Sequence, residues 1–187
     1  SISYAGNGSG FYVWGAQLET GAFPTSYVPT VATAVTRNAD VATMTGTNFS
    51  SWFNTNEGSF QVLFTGSPRT TSASNADMFL RLGDIQLLRG GGSLAYGAFV
   101  GSGTFQSSGI TTANLSCRVG LAYKATQNAF VLNNGTFRTD AGSTYGTLTS
   151  LTIGSNLGLN GWINSHIQKI NYWPQRLIDN EIKTISK

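Results

Sequence analysis

Residues 117–124, CRVGLAYK, alternate without a break: Cys117, Val119, Leu121 and Tyr123 fall on one side, Arg118, Gly120, Ala122 and Lys124 on the other. A period of two is the geometry of a pleated strand with one apolar face, and it recurs along the chain. GSFQVLFTG puts Phe60, Val62 and Phe64 together, and MFLRL puts Met78, Leu80 and Leu82 on one face with Phe79 and Arg81 opposite. IQLLR and SLAYGAFV flank Gly90-Gly91-Gly92 and pair as a hairpin. NAFVLNNGTFRT reads as a second hairpin, its Asn134-Gly135 pair suited to a two-residue type I′ turn in which both central residues take positive φ. SLTIGS and SHIQKINYW complete the strands. One short helix closes the chain at about residues 179–186, with Leu177 and Ile182 as a hydrophobic staple and Glu181 reaching back to the helix start. Many strands and one terminal helix predict an all-β fold, a two-sheet antiparallel sandwich of the jelly-roll kind.

The composition agrees. The 23 glycines suit short strands joined by tight turns and not long helices. A net charge of +3, from eleven basic and eight acidic residues with no basic run, gives no footprint for nucleic acid. No apolar stretch approaches the ~20 residues that span a membrane. The single cysteine, Cys117, excludes an internal disulfide framework and reads as a small buried hydrophobe. No signal peptide opens the chain, and four sequons (Asn7, Asn48, Asn114 and Asn134) are what an Asn/Ser/Gly-rich sequence produces by chance.

Residues 10–18, GFYVWGAQL, alternate as one strand, and Pro24 and Pro29 in the turn-rich stretch behind it mark a boundary near residue 30. Residues 1–30 are therefore a leader strand and linker, and residues 31–187 the sandwich. A lone strand cannot bury both faces, so the leader is either an edge strand of the sandwich or, the reading preferred, the end of a preceding domain.

The order of the later pieces, a CRVGLAYK-type strand, an NNG hairpin, an LTIGS strand and a closing strand into a short helix, resembles the laminin-G-like, concanavalin-A-like jelly roll. The ending INSHIQKINYWPQRLIDNEIKTIS resembles the form of that ending seen in bacteriophage tail and head fibres, on His166, Ile167, Tyr172, Pro174, Arg176, Leu177 and Glu181. Ser165, Trp173 and Ile178 stand where Gly, Tyr and Ser are usual, and the last departure removes a helix-capping hydroxyl. GFYVWGAQLETGAFPTSYVPT followed by AVTRNADVATMTG resembles a fibre-protein junction, in which a carbohydrate-module-like domain ends and a lectin-like domain begins. The resemblance implies a virion protein made in the host bacterial cytoplasm, a homotrimer joined through the leader or the domain before it, and a bacterial surface glycan as partner. No cofactor is expected; the resemblance adds only calcium at the sandwich rim as an alternative, for which Asp77, Asp84 and Asp140 are the candidates, and no DxDxD-type cluster supports it. A structural or decoration module without a sugar ligand and a fragment of a polysaccharide depolymerase are the alternatives.

Glycosidases of this fold class work with two carboxylates about 5–10 Å apart. Of the eight acids only Asp179 and Glu181 lie two apart, at the helix start, where they offset the macrodipole. The single histidine, His166, has no nucleophile elbow with it, and one His with one Cys cannot make a zinc site. Gly90-Gly91-Gly92 lacks the Lys-Ser/Thr and following helix of a phosphate loop. The expected function is non-enzymatic binding. Aromatic rings that stack on sugar CH faces, with Asn and Arg for the hydroxyls, single out Trp162, Tyr145, Asn156, Asn160, Tyr96 and Arg81. Phe105, Arg89 and Trp52 also belong to that set, although Trp52 reads better as a core plug between strands. Trp14 and Trp173 lie in matched motifs and read as structural. Trp162 and Tyr145 lead because both sit in Gly/Ser/Asn-rich loops. Those loops precede and follow the same strand, which leaves open whether they meet.

Overall fold

In a computed structural model the structure describes residues 5–8, 10, 12–19, 26–36, 42–65, 76–90, 95–101, 105–107, 116–140, 144–156, 161–163 and 165–187. The chain divides into two compact units, Ser1–Ala39 and Asp40–Lys187.

The first unit has no strand among its described residues, contrary to the alternation of residues 10–18. Gly15 takes a left-handed φ of 68° and brings its backbone against the Tyr27 ring, which breaks the extended run. Trp14 meets Tyr27 edge-on at 5.6 Å. Gln17 accepts a hydrogen bond from the Val28 N–H at 2.7 Å and donates one to the Ser26 carbonyl, tying the two ends of the turn together.

The second unit is an antiparallel β-sandwich. Its elements in order are β1 (Ala42–Thr45), α1 (Thr47–Ser50), β2 (Glu57–Thr65), β3 (Asp77–Leu82), β4 (Ile85–Arg89), β5 (Tyr96–Val100), β6 (Phe105–Ser107), β7 (Ser116–Lys124), β8 (Asn128–Leu132), β9 (Arg138–Asp140), β10 (Ser150–Ile153), β11 (Ile167–Trp173) and α2 (Asp179–Ile185). A six-stranded sheet runs β1-β10-β3-β4-β5-β6 and faces a five-stranded sheet, β11-β2-β7-β8-β9. The faces of β2 and β7 follow the alternation: Phe60, Val62 and Phe64 with Cys117, Val119, Leu121 and Tyr123 are fully buried in one core between the sheets. Burial pushes the Cys117 thiol above its ordinary pKa, as expected of an inert structural cysteine. β4 and β5 pair as expected, and Gly91 and Gly92 between them lie outside the described residues.

β3 departs from its pattern. Its register slips between Met78 and Leu80, which pair with the adjacent Leu88 and Leu87 of β4. This bulge lets Phe79 join Leu80 and Leu82 in the core, where its ring lies 4.1 Å from Phe64, while Met78 is buried outside that cluster. The β8–β9 turn also sits one residue earlier than the Asn-Gly pair suggests. Asn133 (φ 48°) and Asn134 (φ 53°) are the left-handed residues, and the Gly135 N–H closes the turn on the Leu132 carbonyl at 2.8 Å.

The helix α2 lies on the outer side of the five-stranded sheet. Leu177 and Ile182 are buried together against Ala122, Ala129 and Val131, as the staple requires. Ile178 occupies the N-cap without a side-chain bond, and Glu181 accepts the Ile178 N–H at 3.0 Å, so half of a capping box is made. Gly120 permits the close approach: a Cβ there would lie 2.6 Å from the Ile182 carbonyl oxygen. The short helix α1, which the sequence did not announce, carries Phe49, which stacks on Phe53, and Phe53 in turn stacks on Tyr123 and Tyr172. Trp52 closes this aromatic cluster edge-on to Phe49 and Tyr172 and stays partly exposed, a lid and not a plug between strands. Among the described residues no helix is long and apolar enough to cross a membrane.

Candidate ligand-binding face

The binding candidates do not stay together. Tyr96 is 0% exposed, packed against Phe64 and Phe79 with the Arg89 guanidinium 5.7 Å from its ring centroid, and Arg89 itself is 1% exposed. Both are core side chains, because Tyr96, Ala98 and Val100 share the inward parity of β5 and Tyr96 pairs with Arg89 across the hairpin. Tyr145 is half-buried: it donates its hydroxyl to the Asn56 carbonyl and stands edge-on to Tyr123 at 5.6 Å. Burial raises the pKa of both tyrosines, as it does for phenols in dry aromatic surroundings. Asn160 and the side chain of Phe105 lie outside the described residues.

The loops of Tyr145 and Trp162 are at opposite ends of β3. The Gly146 N–H donates to Asp84 in the β3–β4 turn at 3.1 Å, whereas the Gly161 carbonyl accepts the Met78 N–H at 2.8 Å. Five residues of strand, roughly 17 Å, separate Met78 from Gly83. The aromatic pair that the loops invited does not form.

Arg81 and Asn156 do come together, and Gly161, the residue before Trp162, packs beside Asn156. Arg81 pairs with Thr152 of β10 and points away from the core. Its guanidinium donates to the Asn156 side-chain oxygen and to the Gly83 carbonyl, the latter at 3.1 Å, which fixes the planar group. Gly161 (φ 65°) packs beside Asn156, with its Cβ position 3.4 Å from the Asn156 Cβ. The next residue, Trp162, remains 43% exposed, while Ile163 turns into the core. Register carries the row onward: Arg81 opposes Gln86 of β4, and Gln86 opposes Phe99 of β5. Side chains opposite each other in adjacent strands share a face, so a guanidinium, an amide and an aromatic ring stand in line, all partly exposed. Gln86 and Phe99 escaped the sequence reading. Their outward parity was visible there, but not the strand order that aligns them with Arg81.

The calcium candidates are dispersed. Asp77 is buried on β3 opposite Arg89, Asp84 holds the Gly146 N–H, and Asp140 ends β9 in the other sheet. Among the described residues no three His, Cys, Asp or Glu side chains gather as metal ligands would. Asp179 pairs with Arg176 at 2.6 Å and Glu181 caps α2. His166 is exposed, and its carbonyl accepts the Thr65 N–H at 2.9 Å.

No family model matches the chain, and no curated protein matches it. Solved structures share its fold at low identity. The CBM40 of Ruminococcus gnavus IT-sialidase, bound to α2,3-sialyllactose, aligns with a TM-score of 0.57 at 12% identity over 75% of this chain and 88% of that one. Trypanosoma rangeli sialidase aligns with a TM-score of 0.56 at 14% identity over 70% of this chain, which spans 22% of the sialidase. The HCR/D W1238A mutant aligns with a TM-score of 0.52 at 12% identity, over 71% of this chain and 37% of its own. The class defined by these likenesses is a lectin-like β-sandwich, a statement of fold that sets no activity.

Proposed function

We propose that the chain is a non-catalytic glycan-binding domain of a bacteriophage fibre, and that it recognises a bacterial cell-surface glycan. The observation that carries this reading is the fixed Arg81–Asn156 pair in line with Gln86 and Phe99 on the outward face of the six-stranded sheet, with an exposed Trp162 next in sequence to Gly161, which packs on Asn156. An exposed indole offers an apolar platform for a sugar ring, and a pre-oriented guanidinium and amide supply hydroxyl recognition at small entropic cost. The fold likeness to a sialyllactose-bound CBM40 supports sugar binding as the use of this sandwich. The resemblance of the two chain ends to fibre proteins supports a virion location, with assembly as a homotrimer through residues 1–39 or a domain before them. Binding without cleavage is favoured because Asp179 and Glu181, the closely spaced acids, are committed to Arg176 and to the helix start.

Trp162→Ala tests the reading through adsorption to host cells or their isolated glycans, measured beside thermal stability. Adsorption falls while the melting temperature changes little, since the ring is 43% exposed. A stability loss of about 3–5 kcal/mol, the range for a buried Trp→Ala change, would instead return Trp162 to the core. Adsorption unchanged in both Trp162→Ala and Arg81→Ala would overturn the site.

A further inference from the structure

Among the described residues, Arg81 carries a charge that no ion pair balances. Its row on the outward face of the six-stranded sheet runs Thr43, Thr152, Arg81, Gln86 and Phe99, from β1 through β10, β3 and β4 to β5. The other four side chains are neutral. The acids on β3 and in the turn after it are engaged elsewhere: Asp77 is buried opposite Arg89, and Asp84 accepts the Gly146 N–H at 3.1 Å. Lys124 and Arg176 have carboxylate partners in Glu57 and Asp179. Arg81 has only the Gly83 carbonyl and the Asn156 side-chain oxygen.

Arg81 is also partly buried. A cation withdrawn from water without a counter-ion loses solvation that neutral carbonyl and amide dipoles restore only in part. The two acceptors fix the plane of the guanidinium through Nε and Nη1 and use two of its five N–H groups. The others, on Nη1 and Nη2, make no bond to a described residue. A carboxylate is the planar group that accepts two such N–H groups at once, and it brings the missing negative charge with it.

The rest of the row suits a sugar that bears this carboxylate. Gln86, directly opposite Arg81, is partly exposed and offers a donor and an acceptor to hydroxyl groups. Phe99 stands two strands from Arg81, roughly 10 Å away, and its partly exposed ring is an apolar surface for the CH face of an adjoining unit. A neutral glycan laid on the same row would strip water from the guanidinium and return no charge to it, so its binding is weaker.

We infer that this face selects an acidic sugar of the uronic-acid type, whose carboxylate pairs with Arg81, and that Arg81 is the specificity-determining residue. The inference rests on the glycan-binding reading of the same face and adds the charge of its ligand. The probes are the methyl glycosides of glucuronic and galacturonic acid, each beside its neutral parent, methyl glucoside or methyl galactoside, with glucose 6-phosphate as the phosphate-bearing comparison. Each is titrated into the full chain and followed by backbone amide and arginine Nε–H NMR. At least one uronate gives saturable shifts at Arg81, Gln86 and Phe99, binds about tenfold tighter than its neutral parent, and loses that advantage as salt is raised. Arg81→Gln abolishes the preference for the uronate. Arg81→Lys, which keeps the charge and loses the planar fork, retains the salt dependence with a smaller preference; the amide spectrum of each variant reports its fold. A neutral parent that binds the same amides as tightly as its uronate would overturn the acidic ligand and leave the glycan-binding reading standing. Equal binding of glucose 6-phosphate would overturn the choice of a carboxylate, and a preference unchanged in both Arg81 variants would remove Arg81 as its source. If no probe, charged or neutral, shifts these amides, the inference and the binding face fall together.

Discussion

Asn133 and Asn134 show how much a single backbone conformation asks of its residue. Both are left-handed, a region that β-branched side chains resist strongly. Asn133 also accepts the Arg118 N–H through its side chain at 2.6 Å, so it closes the turn and satisfies β7 at once. Asn133→Val is expected to cost about 2 kcal/mol in urea denaturation, from strain together with the lost bond; Gly135→Val, where the turn puts no left-handed demand, costs less. Glu57 gives a prediction in pH. A hydrogen bond from Lys124, with the Arg176 N–H as a second donor, holds its carboxyl below the ordinary value of 4.5. Its contribution to stability is therefore complete above pH 4.5 and is lost as the pH falls through the lowered value. The melting-temperature difference between the native chain and Glu57→Gln should shrink as acid is added below that point. A constant difference would deny the linkage.

Among the elements, α2 depends on what it packs against. A seven-residue helix is too short to hold itself in water, and its staple residues are buried against β7 and β8, with Phe137 and Trp173 at the edge of the cluster. Gly120 is the hinge of that contact. Gly120→Ala should destabilise the domain by about 1–3 kcal/mol, the range for overpacking, because the added methyl's nearest neighbour is the Ile182 backbone oxygen at 2.6 Å, with the Ile182 and Val131 side chains close behind. Thermal melts of this variant check it; a cost near zero would mean that α2 can lift from the sheet without penalty. The β3 bulge teaches the same lesson for strands. MFLRL alternates on paper, yet one extra residue against β4 redirects Phe79 to the core, and nothing local to those five letters marks the slip.

For the whole molecule, the division after Ala39 sets the expectation that Asp40–Lys187 folds without the leader. Removal of residues 1–39 should leave the β circular dichroism spectrum intact and, if the fibre reading holds, lower the oligomeric state in sedimentation. Loss of the β signal on truncation would make the leader an integral part of the sandwich. Its exposed Tyr12, Trp14 and Leu18 are the apolar surface that such an assembly would use.

The sequence by itself determined the strands with an apolar face, their class of fold and the terminal helix. It did so because a pleat repeats every two residues and a staple spans one helical turn, periods contained within each segment. It also held the inward parity of Tyr96, visible beside Ala98 and Val100 although its aromatic ring invited a surface role. Only the tertiary structure decided which outward side chains stand in a row. Thr152 beside Arg81, Arg81 beside Gln86 and Gln86 beside Phe99 follow from strand order and register, and β10 pairs with β3 from far along the chain. The same long-range pairing drew Asn156 to Arg81 and placed Tyr145 at the other end of β3 from Trp162. Such pairings are fixed by the burial of a whole sheet face at once, since a slip of one residue would turn every side chain of a strand over.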